Sequence, residues 1–424
     1  MILRGSEVLQ EQEAPSGIAT VGITRGYPAR ALDDVQNLSF VSFLDLSRWL
    51  AASIVFLGHL RNPLFLGYSS VPAADQNPII GLWYFVTGWH AAAVIVFFVL
   101  SGYLVGGLSS ARASVGQFNS VDYMIDRVTR LYPAFIGSLV LTAVLDNAGV
   151  TWFSVTGFYN HTHPMIQEKV ATAPFVVGMT WQIFLSNALM LQHLFFSPFG
   201  SNQPLWTISI EFWFYVVFGM GLAASLAKTA GVRFLGYAAV VSMVAVLGAG
   251  FLQLMGLWLI GLGAACVPRR LVQRPLLALL VFVGVLVLAR SQVESVKHDS
   301  MVRTARDYLT ALSFAWLLVS MRSVTFAPLE KLVRFNRFMA DFSYSLYLIH
   351  FPLMLFVLGA FHATGRFEGI AHGYSPSDPV GLFVYGATIV LVYLVAWGFS
   401  LVTERQTGTF RRLIHRKLGK ATVA

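Results

Sequence analysis

The sequence has few charged residues and a single cysteine. Only 12% of its 424 residues are Asp, Glu, Lys or Arg, whereas soluble domains average about 25%. With 56% hydrophobic residues and a mean hydropathy of +0.67, this composition excludes an ordinary soluble domain and predicts an integral membrane protein. Cys266 cannot form an internal disulfide, and its place at the end of an apolar segment favours a packing role over a nucleophilic one.

A cleavable signal peptide is not expected. Residues 1–38 lack a continuous apolar core behind a basic start, so we interpret them as a flexible cytoplasmic N-terminal tail. The chain also has no internal repeat or low-complexity tract. We therefore expect one membrane domain, 39–404, followed by a basic cytoplasmic C-terminal tail, 405–424.

Apolar segments of about 17 to 25 residues recur from Phe40 to Val402, which is the length that crosses a lipid core. Because lipid offers no hydrogen bonds to bare backbone groups, such segments must be helices. We predict an all-α, polytopic bundle of about ten transmembrane helices, in which glycines near residue 250 mark a hairpin or a broken helix. The spans are predicted near 41–60, 79–105, 131–150, 204–226, 233–249, 251–267, 275–290, 305–321, 338–361 and 379–402.

Lys and Arg are divided unevenly between alternate loops. One side has 21 and the other has 7, while Arg48 lies inside a helix. By the positive-inside rule both termini are cytoplasmic, and the formal net charge of +9 reflects topology instead of a nucleic-acid surface. The large periplasmic loop, 151–203, contains its own apolar piece. An eleventh span there would invert every later loop, so we predict an interfacial or re-entrant segment that roofs a cavity.

The first span carries three polar side chains that lipid disfavours. Arg48 and His59 are eleven residues apart, so they share one helix face, and His59 lies roughly 16 Å further along the axis. Asp45 can pair with the Arg48 guanidinium from three residues away. Arg48 has an alternative role, in which it extends to the lipid headgroups, whereas a deep His59 must face a cavity or a partner.

Three other spans bring polar groups to a similar depth. Glu211 lies about 10 Å below the start of its span, and Tyr215 follows one turn later. The other two spans contribute His90, Ser101, Tyr347 and His350. If these helices surround one cavity, the three histidines and Glu211 can meet there, and such a set is suited to acid–base chemistry on a hydroxyl. His90 and His350 are equally compatible with structural hydrogen bonding, and the tyrosines with packing. No metal site is expected, because no two histidines have a helical ligand spacing of three or four residues.

Arg127 and Arg130 precede Pro133 in the predicted cytoplasmic loop after the second span. They point the same way if this loop is turning helical, and we expect Pro133 to open the next span. Two guanidiniums at the inner boundary suit phosphate binding, although cytoplasmic loops carry arginines in any case.

These segments together resemble acyltransferase family 3, polytopic membrane enzymes that move acyl groups from acyl-CoA to sugars and related hydroxyl acceptors. The resemblance runs from Phe40 to Arg405. Thr207 stands where the family usually has Ser, and Gln406 replaces its usual Pro. The matching blocks are, in order, "LDLSRWLAASIVFLGHL", "FFVLSGYLVG", "RVTRLYP", "LWTISIEFWFY", "YSLYLIHFPL" and "TER".

The resemblance implies a role for each polar group. Arg48, Arg127 and Arg130 are expected to anchor the phosphates of acyl-CoA. His59 is expected to be the base that takes the acceptor's hydroxyl proton, or a transient acyl carrier, and Glu211 to orient it or complete the acid–base pair. The donor would be acyl-CoA, in the first place acetyl-CoA, and no permanently bound cofactor is implied.

We therefore predict an O-acyltransferase of the bacterial inner membrane, in the first place an O-acetyltransferase. Its acceptor would be a cell-surface polysaccharide, exopolysaccharide, O-antigen or lipid-linked glycan, and its partners the bilayer and glycan-assembly machinery, with no nucleic acid. Two alternatives stay open. One is an acyltransferase for a small secondary metabolite such as a macrolide, and the other is a glycan or lipid transporter that uses the buried groups as relays.

Overall fold

The computed structural model describes residues 37–170, 173–268, 274–290 and 300–418. Every regular element in these ranges is a helix, so the all-α prediction is confirmed. The predicted N-terminal tail, apart from its last two residues, and residues 419–424 of the predicted C-terminal tail lie outside them. The α-helices are α1 Leu38–Leu64, α2 Pro78–Thr87, α3 His90–Ser101, α4 Gly107–Ser114, α5 Ser120–Trp152, α6 Pro164–Lys169, α7 Trp181–Ala188, α8 Trp206–Ser225, α9 Ala230–Cys266, α10 Pro275–Arg290, α11 Ser300–Met321, α12 Ala327–Lys331, α13 Val333–Ala340, α14 Ser343–Ala363, α15 Gly369–His372, α16 Pro379–Val402 and α17 Thr407–Lys417.

Within the described ranges, seven helical segments are long and apolar enough to cross a membrane. The helix α10 is apolar but shorter, at 16 residues. These lengths confirm a polytopic membrane bundle, while the count of ten spans and the cytoplasmic location of both termini stay predictions. The seven segments are Leu38–Leu64, His90–Ser114, Ser120–Trp152, Gln203–Ser225, Ala230–Cys266, Ser343–Ala363 and Pro379–Lys417.

Helix α9 is broken at Gly248, whose φ of 87° and ψ of 174° lie outside helical conformations and suit glycine alone. After the break, Phe251 contacts Phe214 and Trp258 contacts Phe218, so the second half packs along α8. The glycines near residue 250 therefore mark a broken helix, one of the two structures predicted from them.

The third predicted span begins earlier than expected. Helix α5 starts at Ser120, where the Asn119 side chain accepts two backbone N–H hydrogen bonds, and not near residue 131. Pro133 therefore lies inside a 33-residue helix, and the prediction that it opens the span is wrong. Neighbouring helices make an interior proline tolerable in a membrane bundle. Arg127 and Arg130 consequently stand on a helix, with fixed directions, and not on a loop.

The second predicted span is divided into parts. Helix α2 ends at Thr87 and α3 begins at His90, so His90 lies at a helix start and not near the middle of a span. Beyond α3, a π-helical turn, Gly102–Gly106, leads into α4. Gly102 packs directly on the backbone of Trp258 in α9, which is the close helix approach that small residues allow in membranes.

The predicted periplasmic loop between α5 and α8 folds into short helices. In its described part the longest is α7, whose eight residues extend about 12 Å, too short to cross a lipid core. The described part of the loop therefore contains no helix long enough for a further span, and the interfacial or re-entrant segment stays a prediction. Its Phe175 packs on Phe351 of α14, and Val170 lines the outer cavity described below.

Helix α1 lies at the centre of the bundle, in contact with α3, α13 and α14. Its N-cap residue, Asn37, donates to the carbonyl oxygens of Arg322 and Val324 at distances of 3.0 and 3.1 Å. Further along, the indole of Trp49 donates to Asn336 of α13 at 3.1 Å. The polar side chains of α1 are therefore presented by a helix that is held on several sides.

Candidate functional site

Three histidines from three helices lie together. His59 of α1 and His90 of α3 line a cavity of about 210 Å³, which we call the outer cavity after the predicted orientation. His59 Nδ1 lies 2.9 Å from Nε2 of His350 in α14, and the two rings are stacked with centroids 5.2 Å apart. The His90 ring is 5.7 Å from that of His59. The structure thus brings together the three histidines that the sequence placed at similar depth.

The hydrogen bonds determine which nitrogens of the histidine pair carry protons. His350 Nδ1 lies 2.8 Å from the backbone carbonyl oxygen of Tyr347, which can only accept, so Nδ1 is the protonated nitrogen of a neutral His350. His350 Nε2 is then an acceptor, and His59 Nδ1–H donates to it. The lone pair of neutral His59 is left on Nε2. That atom is the basic one at the outer cavity, and His350 orients it.

Pro352 helps to hold His350 in place. A proline has no backbone N–H, so Pro352 leaves the carbonyl of Leu348 without its helical donor. The side chain of Asn202, at the end of the loop before α8, donates to this carbonyl at 2.9 Å and also to Thr142 of α5 at 2.9 Å. The loop, α5 and α14 are therefore joined one turn from the histidine pair.

Gly58 allows α3 to approach α1 beside His59. A Cβ at this position would lie 2.5 Å from the carbonyl oxygen of Thr87 and 3.3 Å from His90 Nδ1. Arg61, one turn further, donates to the Thr87 hydroxyl at 2.8 Å and so ties the end of α2 to α1. Together these contacts place His90 against the face of α1 that carries His59.

A second cavity, of about 480 Å³, lies beneath the histidines, and we call it the inner cavity. Four helices pass along both cavities. Helices α1 and α14 run from the inner to the outer cavity, and α3 and α8 run in the opposite direction, so the two cavities are stacked along the bundle. The pairs of lining residues, inner first, are Arg48 and His59 on α1, Val94 and His90 on α3, Glu211 and Trp206 on α8, and Tyr347 and Phe351 on α14.

Three connected side chains line the inner cavity on its side toward the histidines, and we call them the septum: Phe97, Thr207 and Tyr347. The hydroxyls of Thr207 and Tyr347 are 2.8 Å apart, and the Phe97 ring packs edge-on against Tyr347 at 5.6 Å. All three face the inner cavity, whereas Trp206, next to Thr207, lines the outer one. The ring of His350 is only 5.8 Å from that of Tyr347. The basic histidine pair is therefore close to the septum.

The three predicted phosphate-binding arginines all line the inner cavity. Arg48 pairs with Asp45 at 3.8 Å, as their spacing predicts, and Arg130 pairs with Glu404 at 2.8 Å. Arg127 has no ion pair within the described residues. Its guanidinium lies over the rings of Tyr123 and Tyr215 at 5.9 and 5.8 Å, and its buried Nε makes no hydrogen bond there.

Glu211 is the final acceptor of a buried hydrogen-bonded chain. Trp258 Nε1 donates to Ser101 at 3.1 Å, Ser101 lies 3.0 Å from the Tyr215 hydroxyl, and Tyr215 donates to Glu211 at 2.5 Å. An indole N–H can only donate, so every proton in this chain points toward Glu211, which fits an ionised carboxylate. Glu211 lines the inner cavity, whereas His59 and His90 line the outer one, so Glu211 does not meet the histidines in one site as expected. The partner of His59 is His350.

Two arginines of the inner cavity were not identified from the sequence. Arg112, on α4, and Arg411, on α17, line it beside Asp126. Both were counted only as part of the positive-inside charge. Their positive charge is evident from the sequence, but no local sequence pattern indicates that α17 folds back over α5.

Residues 41–401 match the Acyltransferase domain family, acyltransferase family 3. No solved structure is significantly similar. Among curated proteins, the O-acetyl transferase of Shigella phage Sf6 is 28% identical over 31% of this chain and 34% of its own. Nodulation protein 10 of Rhizobium leguminosarum bv. viciae is 28% identical over 42% of each chain. Acyltransferase MdmB of Streptomyces mycarofaciens is 28% identical over 40% of this chain and 36% of its own.

Each of these alignments covers less than half of the relative. The family match, by contrast, includes the histidine pair, all three predicted phosphate-binding arginines, the whole lining of the outer cavity and that of the inner cavity except Thr407 and Arg411. The chain therefore belongs to acyltransferase family 3.

Proposed function

We propose that this membrane acyltransferase moves an acetyl group from cytosolic acetyl-CoA to a hydroxyl of a cell-surface glycan or its lipid-linked precursor, in the bacterial inner membrane. One observation carries the proposal: a histidine whose Nε2 has no hydrogen bond within the described residues stands at the outer cavity, and an arginine-lined inner cavity lies along the same helices. The name of the phage relative, an O-acetyl transferase, supports acetyl as the group transferred.

In this proposal the donor occupies the inner cavity. Arg48, Arg127 and Arg130 bind its phosphates, for which forked guanidiniums are suited. The thioester arm passes Glu211 and Tyr215 and reaches the septum, where the Thr207–Tyr347 hydrogen bond must open. Donor and acceptor enter from opposite sides, so the reacting carbonyl is shielded from water until both are bound.

The acceptor hydroxyl binds in the outer cavity within reach of His59 Nε2. His59 takes the hydroxyl proton as the oxygen attacks the thioester carbonyl carbon. The new C–O bond forms the ester, the C–S bond breaks, and the proton passes from His59 to the CoA thiolate. Acyl-CoA and alcohol thus become ester and CoA. A transient acyl group on His59 is the variant of this route in which Nε2 itself attacks.

Glu211 takes part from the donor side. Because it ends the chain from Trp258 through Ser101 and Tyr215, its negative charge orients two hydroxyls along the path of the thioester. In this proposal Glu211 lies beside the thioester arm of acetyl-CoA and makes no direct hydrogen bond to His59.

The experiment uses purified wild-type protein, labelled acetyl-CoA, and two classes of acceptor, lipid-linked glycans and small hydroxylated metabolites. Wild type should transfer label. His59→Ala should lose at least about 100-fold in rate, Glu211→Ala should lose activity less completely, and His372→Ala, an exposed histidine, should match wild type.

Each outcome separates the alternatives. Full transfer by His59→Ala would refute the mechanism. Label in a small metabolite, with none in glycans, would support the second acceptor class. No acetyl-CoA binding by wild type would instead favour transport.

A further inference from the structure

A carboxylate at the mouth of the inner cavity is shared by two arginines from distant parts of the chain. Asp126 of α5 lies 2.9 Å from Arg411 of α17 and 3.9 Å from Arg112 of α4. All three side chains line the cavity. Arg112 and Arg411 retain 56% and 42% side-chain exposure, against 21% for Arg48, so they lie nearer to solvent than the deeper arginines.

The position of α17 is fixed at both ends. At its start, Glu404 pairs with Arg130 of α5 and accepts hydrogen bonds from the backbone and hydroxyl of Ser345 in α14. At its far end, His415 lies 3.9 Å from Asp122, in the first turn of α5. Arg411 is therefore held over the cavity mouth between two anchored ends.

The wall of the inner cavity has a surplus of positive charge. Five guanidiniums line it against the two carboxylates of Asp126 and Glu211. Even if Asp45 and Glu404 behind the wall are included, one guanidinium is unbalanced, and Arg127 is the one without an ion pair in the described ranges. Such a surplus in a partly buried cavity favours a ligand with several negative charges.

We propose that Arg112 and Arg411 bind the 3′-phosphate of the acyl-CoA donor, and that Asp126 holds them in place until the donor arrives. This inference rests on the proposed function. Along CoA, the 3′-phosphate lies further from the thioester than the diphosphate does. The two arginines nearest to solvent therefore match the 3′-phosphate, while the deeper Arg48, Arg127 and Arg130 match the diphosphate.

The test compares acetyl-CoA with acetyl-dephospho-CoA, which lacks the 3′-phosphate. For Arg411→Gln and Arg112→Gln, the KM for acetyl-CoA should rise about 10-fold, because a charge-assisted contact is lost, and kcat should stay near the wild-type value. With acetyl-dephospho-CoA, both variants should behave as wild type. Arg411→Lys should recover part of the loss. The matched control is Arg412→Gln, on the exposed side of α17.

The variant Asp126→Asn should change the KM for acetyl-CoA in the opposite direction. Without the competing carboxylate, the two arginines are freer to bind phosphate, so the KM for acetyl-CoA should fall. If the ion pairs of Asp126 only stabilise the fold, KM should instead rise in all three variants, Arg411→Gln, Arg112→Gln and Asp126→Asn.

The proposal is wrong if Arg411→Gln raises KM equally for both donors, if Arg412→Gln has the same effect, or if Asp126→Asn raises KM. Failure of wild type to bind acetyl-CoA is a different result, which refutes the proposed function itself.

Discussion

Removing the acceptor nitrogen of His350 tests whether the histidine pair orients the proposed base. In the described structure His59 Nδ1–H has one hydrogen-bond acceptor, His350 Nε2 at 2.9 Å. His350→Leu leaves that buried donor unsatisfied at a cost of about 1–3 kcal/mol and lets the His59 ring turn. If the whole of this cost is added to the activation free energy, the rate of acyl transfer falls about 5- to 150-fold, at about 1.4 kcal/mol per tenfold.

The assay is single-turnover transfer of labelled acetyl groups at saturating acceptor. His350 does not line the inner cavity, so the KM for acetyl-CoA should change little. His350→Gln is the informative partner variant, because its amide oxygen can accept the His59 proton from nearly the same position. It should stay within about tenfold of wild type.

The control is His362→Leu, the same change in the last turn of α14, which lines neither cavity. Wild-type rates for His350→Leu would refute the orienting role. So would equal losses for the Gln and Leu variants, which would show that ring packing matters and the hydrogen bond does not.

Three further changes have defined outcomes. Gly58→Ala brings a methyl group within 2.5 Å of a carbonyl oxygen of α2, so it should lower both activity and melting temperature, whereas Gly67→Ala, with open space around it, should lower neither. Thr207→Val removes the hydroxyl that bonds Tyr347 across the septum and should increase acetyl-CoA hydrolysis without acceptor several-fold, read as released CoA. Asp146→Asn weakens two hydrogen bonds to the loop before α8 and should cost about 1–3 kcal/mol of stability in detergent. An unchanged melting temperature for Gly58→Ala or Asp146→Asn would show that the contact in question does not stabilise the fold. An unchanged rate of acetyl-CoA hydrolysis for Thr207→Val would show that the Thr207–Tyr347 hydrogen bond does not shield the thioester.

The helical membrane fold was predictable because lipid leaves an apolar chain no other regular structure. The glycines near residue 250 likewise indicated the break at Gly248, since only glycine adopts its conformation readily. The start of α5 was missed. Pro133 suggested a helix beginning, whereas the cap at Asn119 determines it, and a capped helix can extend well outside the apolar stretch.

In the site, contacts within one helix were predictable and contacts between helices were not. The Asp45–Arg48 pair follows from a spacing of three. The His59–His350 bond joins residues 291 positions apart, so no local pattern contains it. The position of Glu211 along its helix is as expected, but this position alone does not reveal which of the two cavities the side chain faces. The cavity that it faces is determined by the rotation of α8 and by the hydroxyl of Thr207.

Helix α1 fixes the distance between the proposed phosphate-binding residue Arg48 and the proposed base His59. Arg48 lines the inner cavity and His59 lines the outer cavity, and the helix between them is packed on α3, α13 and α14. Their spacing sets both the distance, about 16 Å, and the shared face. One residue more or fewer would turn His59 by about 100° relative to Arg48 and away from His350. The spacing therefore matters for direction as much as for reach: a donor held at Arg48 can meet an oriented base only if both stand on the same side of this helix.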